Sequence, residues 1–133
     1  MEEVEPLSRS NLRYLQRIRE YCRQQDAELI LFSSPSPANW TVRRHNTVAD
    51  LARELEVTFL DGNLMPEEIP IDWEQDTPDR GDHLNYYGAC KVTDFFAGLL
   101  TERGGFTDKR ENPDFAQWNA SLEAFEKMLP TID

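Results

Sequence analysis

The sequence predicts an α/β fold, a partial doubly wound parallel sheet with flanking helices, and three observations lead to it. Two short apolar runs, Glu28–Ser33 and Val57–Asp61, are each preceded by a longer stretch whose apolar residues recur at helical spacing. Helix, strand, helix, strand is the rhythm of right-handed parallel crossovers. Each run is apolar at successive positions, as strands covered on both faces are.

Each element has its own local cause. Residues 1–7 are acidic and contain Pro6, which predicts a flexible lead-in before a domain over 8–133. Ser8 or Ser10 is suited to cap a helix reaching about Gln25, with Leu12, Leu15, Ile18 or Arg19, and Cys22 on its buried stripe. The first strand ends at Ser34-Pro-Ser-Pro37, which continues neither helix nor sheet. A second helix from about Thr41 to Glu56 places Val42, Val48, Leu51, Ala52 and Leu55 toward the core. After the second strand, residues 62–84 form a long loop with three prolines, and loops of that length in compact domains are commonly functional. Asn85 caps a third helix to about Arg103, burying Ala89, Val92, Phe95, Phe96 and Leu99; Gly104-Gly105 ends it, and Asn112-Pro113 opens a weaker fourth. Two strands fall short of the about five or six in a complete sheet of this class. The open edge is expected to be covered by an N-terminal portion outside this chain or by a second copy in a homo-oligomer.

Composition narrows the function classes. The net charge of −11 repels phosphate backbones and excludes a nucleic-acid footprint. Residues 61–85 hold eight carboxylates and one Arg, while residues 8–25 hold five Arg and one Glu; a solvated acidic loop is the simpler reading of this asymmetry. No apolar run reaches the length of a membrane span. Cys22 and Cys90 lack metal-ligand spacing and are expected as buried free thiols. The two histidines lie far apart in sequence and the acidic loop lacks the EF-hand pattern, so no metal site and no cofactor are expected. His45, in an Arg-Arg-His-Asn stretch, is expected to face solvent.

The chemical centre is Asp79-Arg-Gly-Asp-His-Leu-Asn85, between the acidic loop and a helix start. A carboxylate holding an imidazole at Nδ1 leaves Nε2 free to take a proton from a nucleophile. That makes His83 a general-base candidate, with Asp79 or Asp82 to orient it. Asp79 is preferred, because the side chain of an adjacent residue commonly points away. Ser34, Asn39 and Trp40, beyond the carboxyl end of the first strand, are candidates to bind substrate.

The string Asp72-Trp, then Asp79-Arg-Gly-Asp-His-Leu-Asn-Tyr-Tyr-Gly-Ala-Cys-Lys-Val-Thr93, closely resembles the last sequence block of SGNH/GDSL hydrolases. Glu28 to Trp40 is similar to that family's penultimate strand and loop, and the resemblance covers about residues 8–118. It implies a flavodoxin-like, SGNH-type sheet. It also implies ester hydrolysis or acyl transfer on a small-molecule or carbohydrate ester, often in the cell envelope or outside the cell. The family's acid lies three residues before its histidine, where this chain has Arg80, so Asp79 fits only with a one-residue bulge. The family's Gly-Asp-Ser nucleophile motif and its oxyanion donors do not occur in these residues. The chain is therefore expected to be the C-terminal, histidine-bearing part of such an enzyme, inactive alone. Ser33, Ser34 and Ser36 are weak substitutes, since Pro35 and Pro37 prevent a helix from starting there. The alternative is a non-catalytic carbohydrate-binding or protein-interaction module on the same scaffold.

Overall fold

The computed structural model describes residues 3–129. The first two residues of the expected lead-in and the last four of the expected domain lie outside them. The chain divides into two compact units, residues 1–97 and 98–133.

In the first unit, α1 (Arg9–Gln24) starts at Ser8, whose hydroxyl accepts from the Asn11 amide at 3.1 Å. It leads into β1 (Ile30–Ser33), then α2 (Val42–Leu55), capped by the Thr41 hydroxyl, then β2 (Thr58–Asp61). β1 and β2 pair in parallel with Ile30 opposite Thr58 and Ser33 opposite Asp61, so the two carboxyl ends lie side by side. β2 begins one residue later than expected because the Val57 amide is taken up by the Ala52 carbonyl at the end of α2. α3 (Tyr86–Arg103) begins at Asn85, whose side chain accepts from the amides of Tyr87 and Gly88 at 2.9 and 3.1 Å.

This is mixed helix and strand with a small parallel sheet, and its core is correspondingly thin. Leu51, Ala52 and Ile69 are its buried hydrophobic residues among those described, and Phe32 meets Phe96 edge to face with ring centroids 4.8 Å apart. With two strands to lie against, the helices bury less than their periodicity predicts. Val92, Phe95, Phe96 and Leu99 are half-buried and Ala89 is exposed. Ile18 remains half exposed, and Val42, in the first turn of α2, is 76% exposed. Cys22 and Cys90 are free and half-buried.

The lead-in is tied down from Glu3 to Glu5: the Glu5 amide donates to the Thr47 hydroxyl at 2.8 Å, and Arg44 pairs with the Glu5 carboxylate at 3.1 Å. These bonds give the backbone of residues 3–5 partners along α2 that the acidic composition did not suggest. On α1, Arg23 pairs with Glu20 and Arg19 donates to the Leu55 carbonyl at the end of α2.

In the second unit, Asn112 accepts from the Asp114 amide at 3.0 Å and opens a short 3-10 turn that runs into α4 (Ala116–Glu126). Trp118 and Leu122 are exposed on it. Among the described residues no helix is long and apolar enough to cross a membrane.

The start of α3 depends on a glycine. A Cβ at Gly88 would meet the Asp76 carbonyl oxygen at 2.6 Å, a backbone atom that cannot yield without moving the loop. Gly88→Ala is expected to destabilise the protein by about 1–3 kcal/mol through overpacking. Gly98→Ala, with nothing within 4 Å of the new methyl, is expected to stabilise by about 0.5–1 kcal/mol through helix propensity. Urea unfolding of the two variants checks both signs.

Candidate functional site

The carboxyl ends of β1 and β2 release two loops, and the side chains that carry chemistry gather where these meet the loop before α3. Ser36 donates to the Gly81 carbonyl at 3.2 Å, the Ala38 amide donates to the same oxygen at 3.4 Å, and Asn39 donates to Asp82. Gly81 has φ 128 and is buried against Pro37, where a Cβ would lie 2.9 Å from the proline ring. Only glycine suits that combination of left-handed backbone and close approach. The two sequence blocks at 33–40 and 79–85 are thus joined.

Within the second block, Arg80 adopts φ 58, in the left-handed region, just before Gly81. For a non-glycine residue this conformation costs about 1–2 kcal/mol. It coils the chain so that Asp79 Oδ1 accepts from the amides of both Asp82 and His83 at 2.9 Å. The other oxygen, Oδ2, lies 2.6 Å from His83 Nδ1, while Asp82 Oδ2 stands at 3.4 Å. The two left-handed residues supply the extra turn that an acid four positions before the histidine requires. Asp79 is held well below the usual carboxylate range, first by the His83 amide and then by the His83 ring. His83 is shifted upward, first by its hydrogen bond to Asp79 and then by the charges of Asp82 and Asp79. Because Asp79 stays ionised and accepts, the Nδ1 hydrogen belongs to the ring and Nε2 is left for a reacting group. The side chain of His83 is 74% exposed.

Asp79, Asp82 and His83 also offer three ligand atoms within 4.8 Å of one another. A divalent cation held there through His83 Nδ1 would take that atom from Asp79, so ligation by Nδ1 and orientation by the acid exclude each other.

The structure groups a second set of residues that the sequence reading missed. Asp61, at the end of β2, is buried, and all four acceptor positions of its carboxylate are filled. Oδ2 accepts from His45 Nδ1 at 2.6 Å and from Trp40 Nε1 at 2.8 Å. Oδ1 accepts from the Asn63 amide and side chain at 3.0 and 2.9 Å. Burial pushes the Asp61 carboxyl up, but the donors of Asn63, His45 and Trp40 outweigh it and hold the group below its ordinary value. Asn63 continues the network to the Ser33 hydroxyl, the Ser34 carbonyl and the Ser36 amide. His45 therefore does not face solvent as expected. It lies three residues before Val48 and seven before Ala52, on the stripe that α2 turns toward the sheet, and its flanking arginines masked that register.

A cleft of about 880 Å³ opens beside this network, with Trp40, Trp73, Pro35, Pro37 and His45 in its walls. Trp40 is thus the one substrate-binding candidate in the cleft wall. Ser34 and Asn39 are exposed, Asn39 being engaged by Asp82, and His83 is not in the wall either. None of Ser33, Ser34 and Ser36 hydrogen-bonds to either histidine among the described residues. Ser36 is spent on Gly81, and Ser33 lies between Asn63 and the Ser34 carbonyl.

Comparison of the chain with protein-family models, curated proteins and solved structures finds no match.

The pair at His83 makes a pH prediction. Its raised pKa stabilises the fold in full below the unfolded value of about 6.5, and that contribution is lost as pH rises through the higher folded value. Proton-detected titration of the imidazole is expected to place His83 above 6.5 and to bring it down in Asp79→Asn, with Asp82 still keeping part of the shift. An unchanged midpoint in the variant would contradict the pairing.

Proposed function

We propose that the chain carries the base and orienting acid of an SGNH-type serine esterase or acyltransferase, with His83 as general base and Asp79 holding its ring. The observation that carries this reading is the 2.6 Å contact of His83 Nδ1 with Asp79, beside a freely accessible Nε2 just before α3. In such a reaction Nε2 takes the proton of an attacking serine and returns it to the departing alcohol, while Asp79 stabilises the imidazolium between the two steps. Asp82 adds charge to the pair and anchors Asn39, so it acts as a positioning residue. The parallel pair β1–β2 would then be one end of a larger doubly wound sheet. The strands that complete it, the nucleophile and the oxyanion donors come from polypeptide outside these residues, and the substrate is a small-molecule or carbohydrate ester.

Two features support the reading beyond the resemblance at 79–93. The histidine stands at the carboxyl end of parallel strands, where α/β folds place their sites. The hydroxyls of Ser33 and Ser36 are engaged in the loop network, and none of Ser33, Ser34 and Ser36 bonds to a histidine among the described residues, which favours a nucleophile supplied from elsewhere.

Intact-mass measurement after treatment with a fluorophosphonate probe tests the proposal. The chain alone is expected to take no serine adduct. The gene product extended upstream is expected to take one, at a rate that His83→Ala lowers about 100-fold or more. A His83-dependent adduct on Ser33, Ser34 or Ser36 of the chain alone would contradict it, as would an extended product that never reacts.

A further inference from the structure

The cleft beside His45 has its own polar chemistry, separate from His83. We propose that it binds a neutral, hydroxyl-bearing small molecule with an apolar ring face, and that His45 Nε2 hydrogen-bonds to a ligand hydroxyl. This inference does not rest on the esterase reading.

Asp61 is closed to ligands because every acceptor position of its carboxylate is filled by His45, Trp40 or Asn63. An ionised carboxylate only accepts, so the hydrogen shared with His45 sits on Nδ1, and Nε2 is the ring nitrogen left to hydrogen-bond with a ligand. His45 is clamped on one side and retains 30% side-chain exposure, and its ring lies in the cleft wall. A positioned ring nitrogen in that wall selects a hydrogen-bonding group, and a hydroxyl, which both donates and accepts, is the commonest neutral one.

The walls set the rest of the ligand. Trp40, Trp73, Pro35, Pro37, Ile69 and Ile71 present flat apolar surfaces, which suit a ring face better than a flexible chain. The volume of about 880 Å³ lies within the range of small-molecule sites. Charge excludes an anion: no Lys or Arg lines the cleft, while Asp61 and Asp72 do. A cation gains little from Asp61, whose charge is already spread over four donors. Trp40 is fixed by its own bond to Asp61, so its indole face is set before a ligand arrives.

Three probes sharing a phenyl ring separate the possibilities: phenyl β-D-glucopyranoside, phenylacetate and phenyltrimethylammonium. Each is titrated into the chain and followed by tryptophan fluorescence and by the ring nitrogens of His45 in long-range proton–nitrogen spectra. The glucoside is expected to bind saturably, to shift His45 Nε2, and to bind about tenfold more weakly to His45→Ala, as loss of one hydrogen bond implies. Tighter binding of phenylacetate or phenyltrimethylammonium would overturn the proposal. So would a glucoside titration that leaves the His45 nitrogens unmoved, or an unaltered affinity in folded His45→Ala. Should that variant not fold, the nitrogen shifts of the unaltered protein decide the matter.

Discussion

The carboxylate of Asp61 is the constraint on which the carboxyl edge of this small sheet depends. Burying an ionised group is costly unless its lone pairs are satisfied, and here four donors converge on one side chain. Those donors come from separate pieces of chain: Trp40 from the loop after β1, His45 from the first turns of α2, and Asn63 from the turn after β2. Asn63 then passes the order on to Ser33, Ser34 and Ser36. Ser36 carries it to Gly81, next to the loop that holds His83. A single buried charge thus organises the end of the sheet, and a thin apolar core would not do so alone.

The two histidines then divide the chemistry between them. Both have Nδ1 2.6 Å from an aspartate oxygen, yet their surroundings differ. His45 is anchored by a buried acid and lines a cleft with aromatic and proline walls. His83 is held by an exposed acid on a coiled loop and is open to solvent. The first arrangement favours recognition of a ligand. The second favours proton transfer to a group that arrives from elsewhere.

Much of the framework was legible in the sequence because it follows from local rules. Ser8, Thr41 and Asn85 cap helices where their side chains and the ensuing periodicity require it, and the apolar runs 28–33 and 57–61 contain the two strands. The candidate base at His83 was also visible, since the acids around it lie within one turn. The rest depended on tertiary relations. Val42 fits the helical stripe yet remains 76% exposed in the first turn of α2, which periodicity cannot register. His45 fits the same stripe and was misread because its neighbours are charged. Asp61 was placed at a strand end, but nothing local shows that donors from the loop after β1, from α2 and from the turn after β2 meet there. The ties of Glu3 to Glu5 along α2 are likewise between residues some forty positions apart.

The most direct test of Asp61's role is the pH dependence of unfolding free energy for the unaltered protein and Asp61→Asn, measured in urea between pH 7 and pH 3. A carboxyl depressed in the folded state stabilises above its unfolded value of about 3.9, and the contribution fades as pH falls through the folded value. The account predicts a deficit for Asp61→Asn of about 1–3 kcal/mol at neutral pH, the cost of donors left facing an amide, narrowing as the solution is acidified below the unfolded value. A variant as stable as the unaltered protein at neutral pH, or a deficit that does not change with pH, would contradict it.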